Sequence, residues 1–259
     1  MSNPPTSAAT TPLVPSPRRG TGASTVEREF TVKERSQLAL MIRRFLRHRA
    51  ATISLFVLLF LVLLAFVGPH VWKYSYTDIS SPGRSGPTLN NPMGTDQIGH
   101  DIFAQVMRGM QQSIKVGFLV TLLSVGIGAP YGAIAGLLGG RIDTIMMRIC
   151  DVLLVLPLLA LAAAIGARRG GTVLVVSLVL GLLGWAVDAR VTRGVVLSLR
   201  EQEFVEAARA LGAGTMRIVF RHLIPNAAGA IIVQATLDVA GAILTESALS
   251  FLGVGIKAP

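Results

Sequence analysis

Cysteine, histidine and charge are all scarce in this chain. A single cysteine, Cys150, stands among 259 residues, so there is no internal disulfide framework. Asp, Glu, Lys and Arg make up 15% of the sequence, against about a quarter in ordinary soluble domains. A soluble domain this apolar would need an unusually large core. The four histidines, His48, His70, His100 and His222, are far apart and begin no metal-ligand spacing, so no metal site is expected. There is no G-x-x-x-x-G-K-[ST] and no Gly-Lys pair, so the chain does not cradle a nucleotide by the usual phosphate loop. His-Glu-x-x-His and G-x-S-x-G are missing as well, which removes the common membrane protease and lipase signatures. No catalytic residue is assigned.

Long apolar runs fill the space instead. The sequence is 51% hydrophobic. No Asp, Glu, Lys or Arg occurs from Ala50 through Trp72, more than the ~20 residues a bilayer crossing needs. Five spans are predicted, at about 50–68, 113–138, 144–165, 172–187 and 227–252. The class is therefore all-α integral membrane, a multi-pass helical bundle. Pro130 and Pro157 should kink the second and third spans. Arg148 and Asp151 should pair locally at spacing three. Asp188 should end the fourth span and reach water.

Residues 1–31 are rich in Pro, Ser, Thr and Ala and read as a disordered cytoplasmic tail. Over 32–49 a regular apolar face with charge supplied by Arg35, Arg43, Arg44 and Arg47 reads as an interfacial amphipathic helix. Residues 50–259 form the membrane domain, with a cytoplasmic loop at 189–226. Lys and Arg set the orientation: nine precede the first span and six lie in 189–222. The polar segment 69–112 lies on the opposite side. Positive-inside topology thus places the N-terminus and the 189–226 loop in the cytoplasm. Arg168 and Arg169 depart from the rule locally. The net charge of +10 sits between apolar runs, so topology explains it and no nucleic acid is expected.

The most informative stretch is 203–226, EFVEAARALGAGTMRIVFRHLIPN. Phe204, Ala207, Ala208 and Leu211 share one helical face, with Glu203, Glu206 and Arg209 outside it. Gly212 can end that helix and turn the chain. Met216, Val219, Phe220 and Leu223 then recur at helical spacing, and Pro225 should break the second helix. A helix–glycine–helix unit between two spans has no lipid against which to bury its apolar face. It should dock on another protein.

This stretch resembles the cytoplasmic EAA coupling loop of ABC importer permeases in Glu206-Ala207-Ala208, Gly212 and Pro225-Asn226. Two further segments resemble the dipeptide/oligopeptide/nickel subfamily: Met93-Gly94-Thr95-Asp96-Gln97-Ile98-Gly99-His100-Asp101 and Ser247-Ala248-Leu249-Ser250-Phe251-Leu252-Gly253. His100 stands where the family usually has arginine. The resemblance implies the type I importer permease fold, which usually has a sixth helix that this chain lacks. It implies a heterodimer with a second permease, two cytoplasmic ATPase subunits that bind ATP and Mg, and an extracytoplasmic substrate-binding protein. Glu203, Glu206, Ala207, Ala208, Arg209, Gly212, Pro225 and Asn226 would then couple to the ATPases. The chain itself would carry no cofactor. Peptides are the implied cargo, with nickel or another solute as alternatives. A stand-alone carrier or channel would need no coupling loop and would often show inverted repeats.

Other polar and small residues invite two readings each. Asp238 and Glu246 lie in an apolar span, where a charge costs at least ~2.5 kcal/mol. They either line a translocation path or make buried hydrogen bonds. Ser124, Gly128, Gly132, Gly136 and Gly140 repeat every four residues, so a neighbouring helix should approach closely there, as a moving or a static contact. Asp96 and Asp101 flank Gly99 with no nucleophile or metal motif, so a turn or capping role is expected.

Overall fold

A computed structural model describes residues 45–169 and 171–256 of the chain. It divides into two units, Met1–Thr52 and Ile53–Pro259. Of the first, residues 45–52 are described, a helical stretch in which the Thr52 hydroxyl donates to the His48 carbonyl at 3.3 Å. The expected 1–31 tail and most of the expected 32–49 helix lie outside the described residues.

Helix α1, Arg49–Phe66, is apolar on every side, and Ala65 is its one buried residue. A short turn, α2 (Gly68–Val71), follows. The chain then runs irregularly to Asp101, with two isolated antiparallel bridges, Ile79 to His100 and Thr95 to Asp101. Helix α3, Ile102–Leu138, is 37 residues long, or about 55 Å. It continues as helix through Pro130.

Pro157 acts more sharply than a kink. It separates α4, Gly140–Val155, from α5, Leu158–Arg169, and the two are bent by 69°. The proline ring drives the preceding residue out of the helical region, and Leu156 is extended with ψ 132°. Helix α6, Val173–Leu199, spans 27 residues, about 40 Å. That exceeds a hydrocarbon core of ~30 Å, and the helix runs past the expected span end at 187. Asp188 therefore does not end the span. It sits mid-helix, 3% exposed.

Two short helices, α7 (Glu203–Ala210) and α8 (Thr215–Ile218), lead through a π turn, Val219–Leu223, into α9, Ile224–Phe251. Pro225 was expected to break the chain here, and it does not. It occupies the first turn of α9, where a missing N–H is tolerated, and the wider π turn just before it gives the ring room. Four helical stretches are long and apolar enough to cross a membrane, or five if the bent α4–α5 pair forms one span.

Helix α3 lies along α6, and α9 packs against both. One apolar cluster joins Val116 and Val120 to Val176, Leu180 and Leu249. A second, at the other end, joins Ala133, Leu137 and Val196 to Val205, Val219 and Leu223.

Candidate functional site

The helix–glycine–helix unit is set firmly on the bundle. Helix α7 ends in a Schellman cap: the Ala213 N–H donates to the Ala208 carbonyl (3.0 Å) and the Gly212 N–H to that of Arg209 (2.9 Å). Gly212 takes φ +77°, a conformation that side chains other than glycine's disfavour. Val205, Ala208, Ile218, Val219 and Leu223 bury themselves against Ala133, Leu137 and Val196. The face expected from periodicity divides. Ala208 is buried, while Phe204 (37%), Leu211 (89%), Met216 (59%) and Phe220 (55%) remain exposed. Glu203, Glu206, Ala207, Arg209 and Gly212 are exposed as well. Pro225 and Asn226 are exposed at the start of α9, where the Asn226 amide donates to the His222 carbonyl at 2.6 Å. Residues 189–199 of the expected loop belong to α6.

Ion pairs tie this end together. Arg193 on α6 grips Asp143 on α4 with Nε at 2.5 Å and Nη2 at 2.6 Å. One turn away, Arg190 pairs with Asp151. The local Arg148–Asp151 pair also forms, at 3.7 Å. The Arg200 guanidinium donates to the Gly136 carbonyl at 3.3 Å.

The small-residue stripe of α3 faces α6. The Ser124 hydroxyl donates to the Gly181 carbonyl at 3.2 Å. A Cβ on Gly128 would stand 2.5 Å from the Trp185 carbonyl oxygen, and one on Gly136 2.9 Å from Val196. At Gly132 it would run into the Ala189 backbone. Gly140 is not part of this contact. It has left α3 for the start of α4 and faces open space.

The two intramembrane carboxyl groups of α9 face different neighbours. Asp238 accepts from the Gln234 side chain at 2.9 Å and stands beside Asp188 of α6. Among the described residues, both Asp188 oxygens and the Asp238 Oδ2 have no hydrogen-bond partner. Glu246, 6% exposed, accepts from Ser250 (2.7 Å) and Ser113 (3.3 Å). It borders a cavity of about 630 Å³ shared with Arg108, Tyr76 and His100.

The segment before α3 is organised by its two aspartates. Asp101 is fully buried and accepts from the Trp72 indole (2.7 Å), the Asn91 amide (3.0 Å) and the Ala104 N–H (3.1 Å), so it caps α3. Asp96 accepts from the backbone N–H groups of Ile98, Gly99 and His100 and from the Gln105 amide. Led by the bond from His100 N–H, these hold its carboxyl well below the usual range. The His100 ring lies 3.1 Å from the same carboxylate. The motif thus builds a turn and a cap, as expected.

Residues 128–258 match the family described as "Binding-protein-dependent transport system inner membrane component". Residues 36–92 match the "N-terminal TM domain of oligopeptide transport permease C". The chain is 43% identical over 227 residues to the oligopeptide transport system permease protein OppC of Mycobacterium tuberculosis (strain ATCC 25618 / H37Rv), covering 86% of this chain and 78% of that one. The chain belongs to the binding-protein-dependent transport permeases. It is 41% identical over 218 residues to the dipeptide transport system permease protein DppC of Bacillus subtilis (strain 168), covering 84% of this chain and 68% of that one. OppC of Haemophilus influenzae is 37% identical over 220 residues. This permease is a multi-pass, all-α membrane component of a transport system, and the resemblance read from its three motifs is borne out.

Sequence reasoning missed Asp143, Arg193, Arg190 and Arg108. The Asp143–Arg193 partners are 50 residues apart, and no periodicity links two helices. Arg108 carried one signal: it is an arginine among the first turns of a long apolar helix.

Proposed function

We propose that this permease forms half of the translocation path of an ATP-driven peptide importer. It pairs with a second permease, two cytoplasmic ATPases and an extracytoplasmic binding protein. ATP and Mg sit on the ATPase chains, and this chain performs no covalent reaction. The permease lies in the inner membrane, with its N-terminus and the 203–223 unit on the cytoplasmic side.

One observation carries this reading. Val205, Ala208, Val219 and Leu223 anchor the unit in the apolar core, while Phe204, Leu211, Met216 and Phe220 stand exposed among the described residues. A loop fixed on one face and apolar on the other presents a docking surface. Glu203, Glu206 and Arg209 would rim it with charge. Motion of a docked ATPase would pass through Val205 and Leu223 to α3, α6 and α9. Peptide cargo is supported by the relatives, which are named for oligopeptide and dipeptide transport.

Mild-detergent purification of the tagged permease from its own cells tests the reading. Nucleotide-binding subunits should come with the wild type and be lost from Leu211→Asp/Phe220→Asp. Isolation of the wild type alone, or equal recovery from the variant, would overturn it.

A further inference from the structure

We infer that the cavity between α3, α9 and the segment before α3 is a recognition site for the two charged ends of a short peptide. Glu246 takes the α-ammonium group and Arg108 takes the α-carboxylate. This rests on the peptide reading above and assigns that cargo a specific place.

The cavity volume, about 630 Å³, lies within the ~300–1,000 Å³ of small-ligand pockets. An extended peptide spans about 3.3–3.6 Å per residue, so two or three residues reach across such a space. The wall carries opposite charges held apart. Among the described residues, neither Arg108 nor Glu246 takes part in an ion pair. Arg108 is braced on two sides: its guanidinium carbon lies 5.1 Å from the centre of the Tyr76 ring, and Nη1 donates to Gln111 at 3.1 Å. Its Nε is buried with no hydrogen-bond partner among the described residues. That atom is closed off from the cavity, but Arg108 lines the cavity, and its guanidinium has no carboxylate partner among the described residues; a carboxylate from outside the chain would supply one. Glu246 is fixed by the Ser250 and Ser113 hydroxyls, one on each oxygen. Two fixed bonds leave the carboxylate further lone-pair positions for an ammonium donor. An unpaired cation and an unpaired carboxylate on one cavity wall suit a zwitterion. A neutral solute would leave both charges unmatched, and a bare metal cation would meet Arg108.

The test is calorimetric titration of the whole complex in nanodiscs, without binding protein, using trialanine, N-acetyl-trialanine and trialanine amide. Wild type should bind trialanine saturably and each blocked peptide about tenfold more weakly. Glu246→Gln should lose the discrimination against the N-acetyl form and keep that against the amide. Arg108→Gln should do the reverse. If one variant fails to assemble, the other and the wild-type ranking still decide. No saturable binding by wild type, equal binding of all three peptides, or a uniform loss in the variants would overturn the site. Uptake of trialanine by the wild-type complex with its binding protein is measured separately. Uptake without the ranking overturns this site alone, and absent uptake overturns the peptide reading beneath it.

Discussion

Gly132→Ala is the smallest change that tests the α3–α6 contact. A Cβ there would lie 2.8 Å from the Ala189 carbonyl carbon, 3.0 Å from its Cα, and closer still to its oxygen. The obstacle is backbone on both sides, so no rotamer relieves it, and the helices must separate by about 1 Å. A gap of that size forfeits a quarter to a half of each contact's attraction. In lipid, van der Waals contact is a main force joining helices. Overpacking of this kind costs about 1–3 kcal/mol, and the neighbouring contacts at Gly128 and Gly136 place this site at the upper end. For a domain of this size that corresponds to a fall in melting midpoint of roughly 5–10 °C. Gly126→Ala is the matched control, since a Cβ there meets nothing within 4 Å on the same helix. It should leave the midpoint unchanged or raise it, because alanine is the better helix former. Thermal unfolding of the purified complex, followed by size-exclusion, reads both. Equal midpoints for the two variants would refute the close approach.

Three further outcomes follow from the same geometry. Arg193→Met should destabilise by about 1–3 kcal/mol after allowance for partial exposure, by leaving Asp143 unpaired; adding Asp143→Leu should recover most of the loss, and additive losses in a double-mutant cycle would contradict the pairing. Asp188→Asn should raise or preserve the melting midpoint, since its amide can donate to the unpartnered Asp238 oxygen; loss of assembly would count against that neighbourhood. Asp96 has a depressed carboxyl pKa, so its stabilising bonds are fully present above the unfolded value near ~4 and are lost as pH falls through the lower folded value. Hydrogen exchange across residues 78–101 should therefore be equally protected at pH 5 and 7. Early loss of protection at pH 5 would refute the assignment.

Features carried by local spacing were legible in the sequence. The apolar runs gave the spans, Asp101 before α3 gave its cap, and Gly212 gave the end of α7. Features set between helices were not. Periodicity grouped Phe204 and Leu211 with Ala208, yet Ala208 is buried and the other two face outward, because the position of α3 decides which side is covered. Asp188 looked like a span end because a charge follows an apolar run. It is tucked against Gly128, whose missing side chain makes the room. Pro225 reads as a breaker unless a π turn precedes it, and the sequence carries no mark of that turn. Asp238 and Glu246 were equivalent by spacing, and only the packing of α6 and the cavity beside α3 separates them.

The central claim is that the outward face of the 203–223 unit couples nucleotide hydrolysis to uptake. Glu206→Lys and Leu211→Glu change exposed side chains and leave the buried anchor intact. The direct test reconstitutes the whole complex in vesicles and measures peptide uptake together with substrate-stimulated ATP hydrolysis. Both variants should insert in the membrane like the wild type, yet hold the ATPase subunits more weakly or uncouple them, and lose most uptake and most stimulation of hydrolysis. Wild-type uptake and wild-type stimulation in both would contradict the coupling role of this surface.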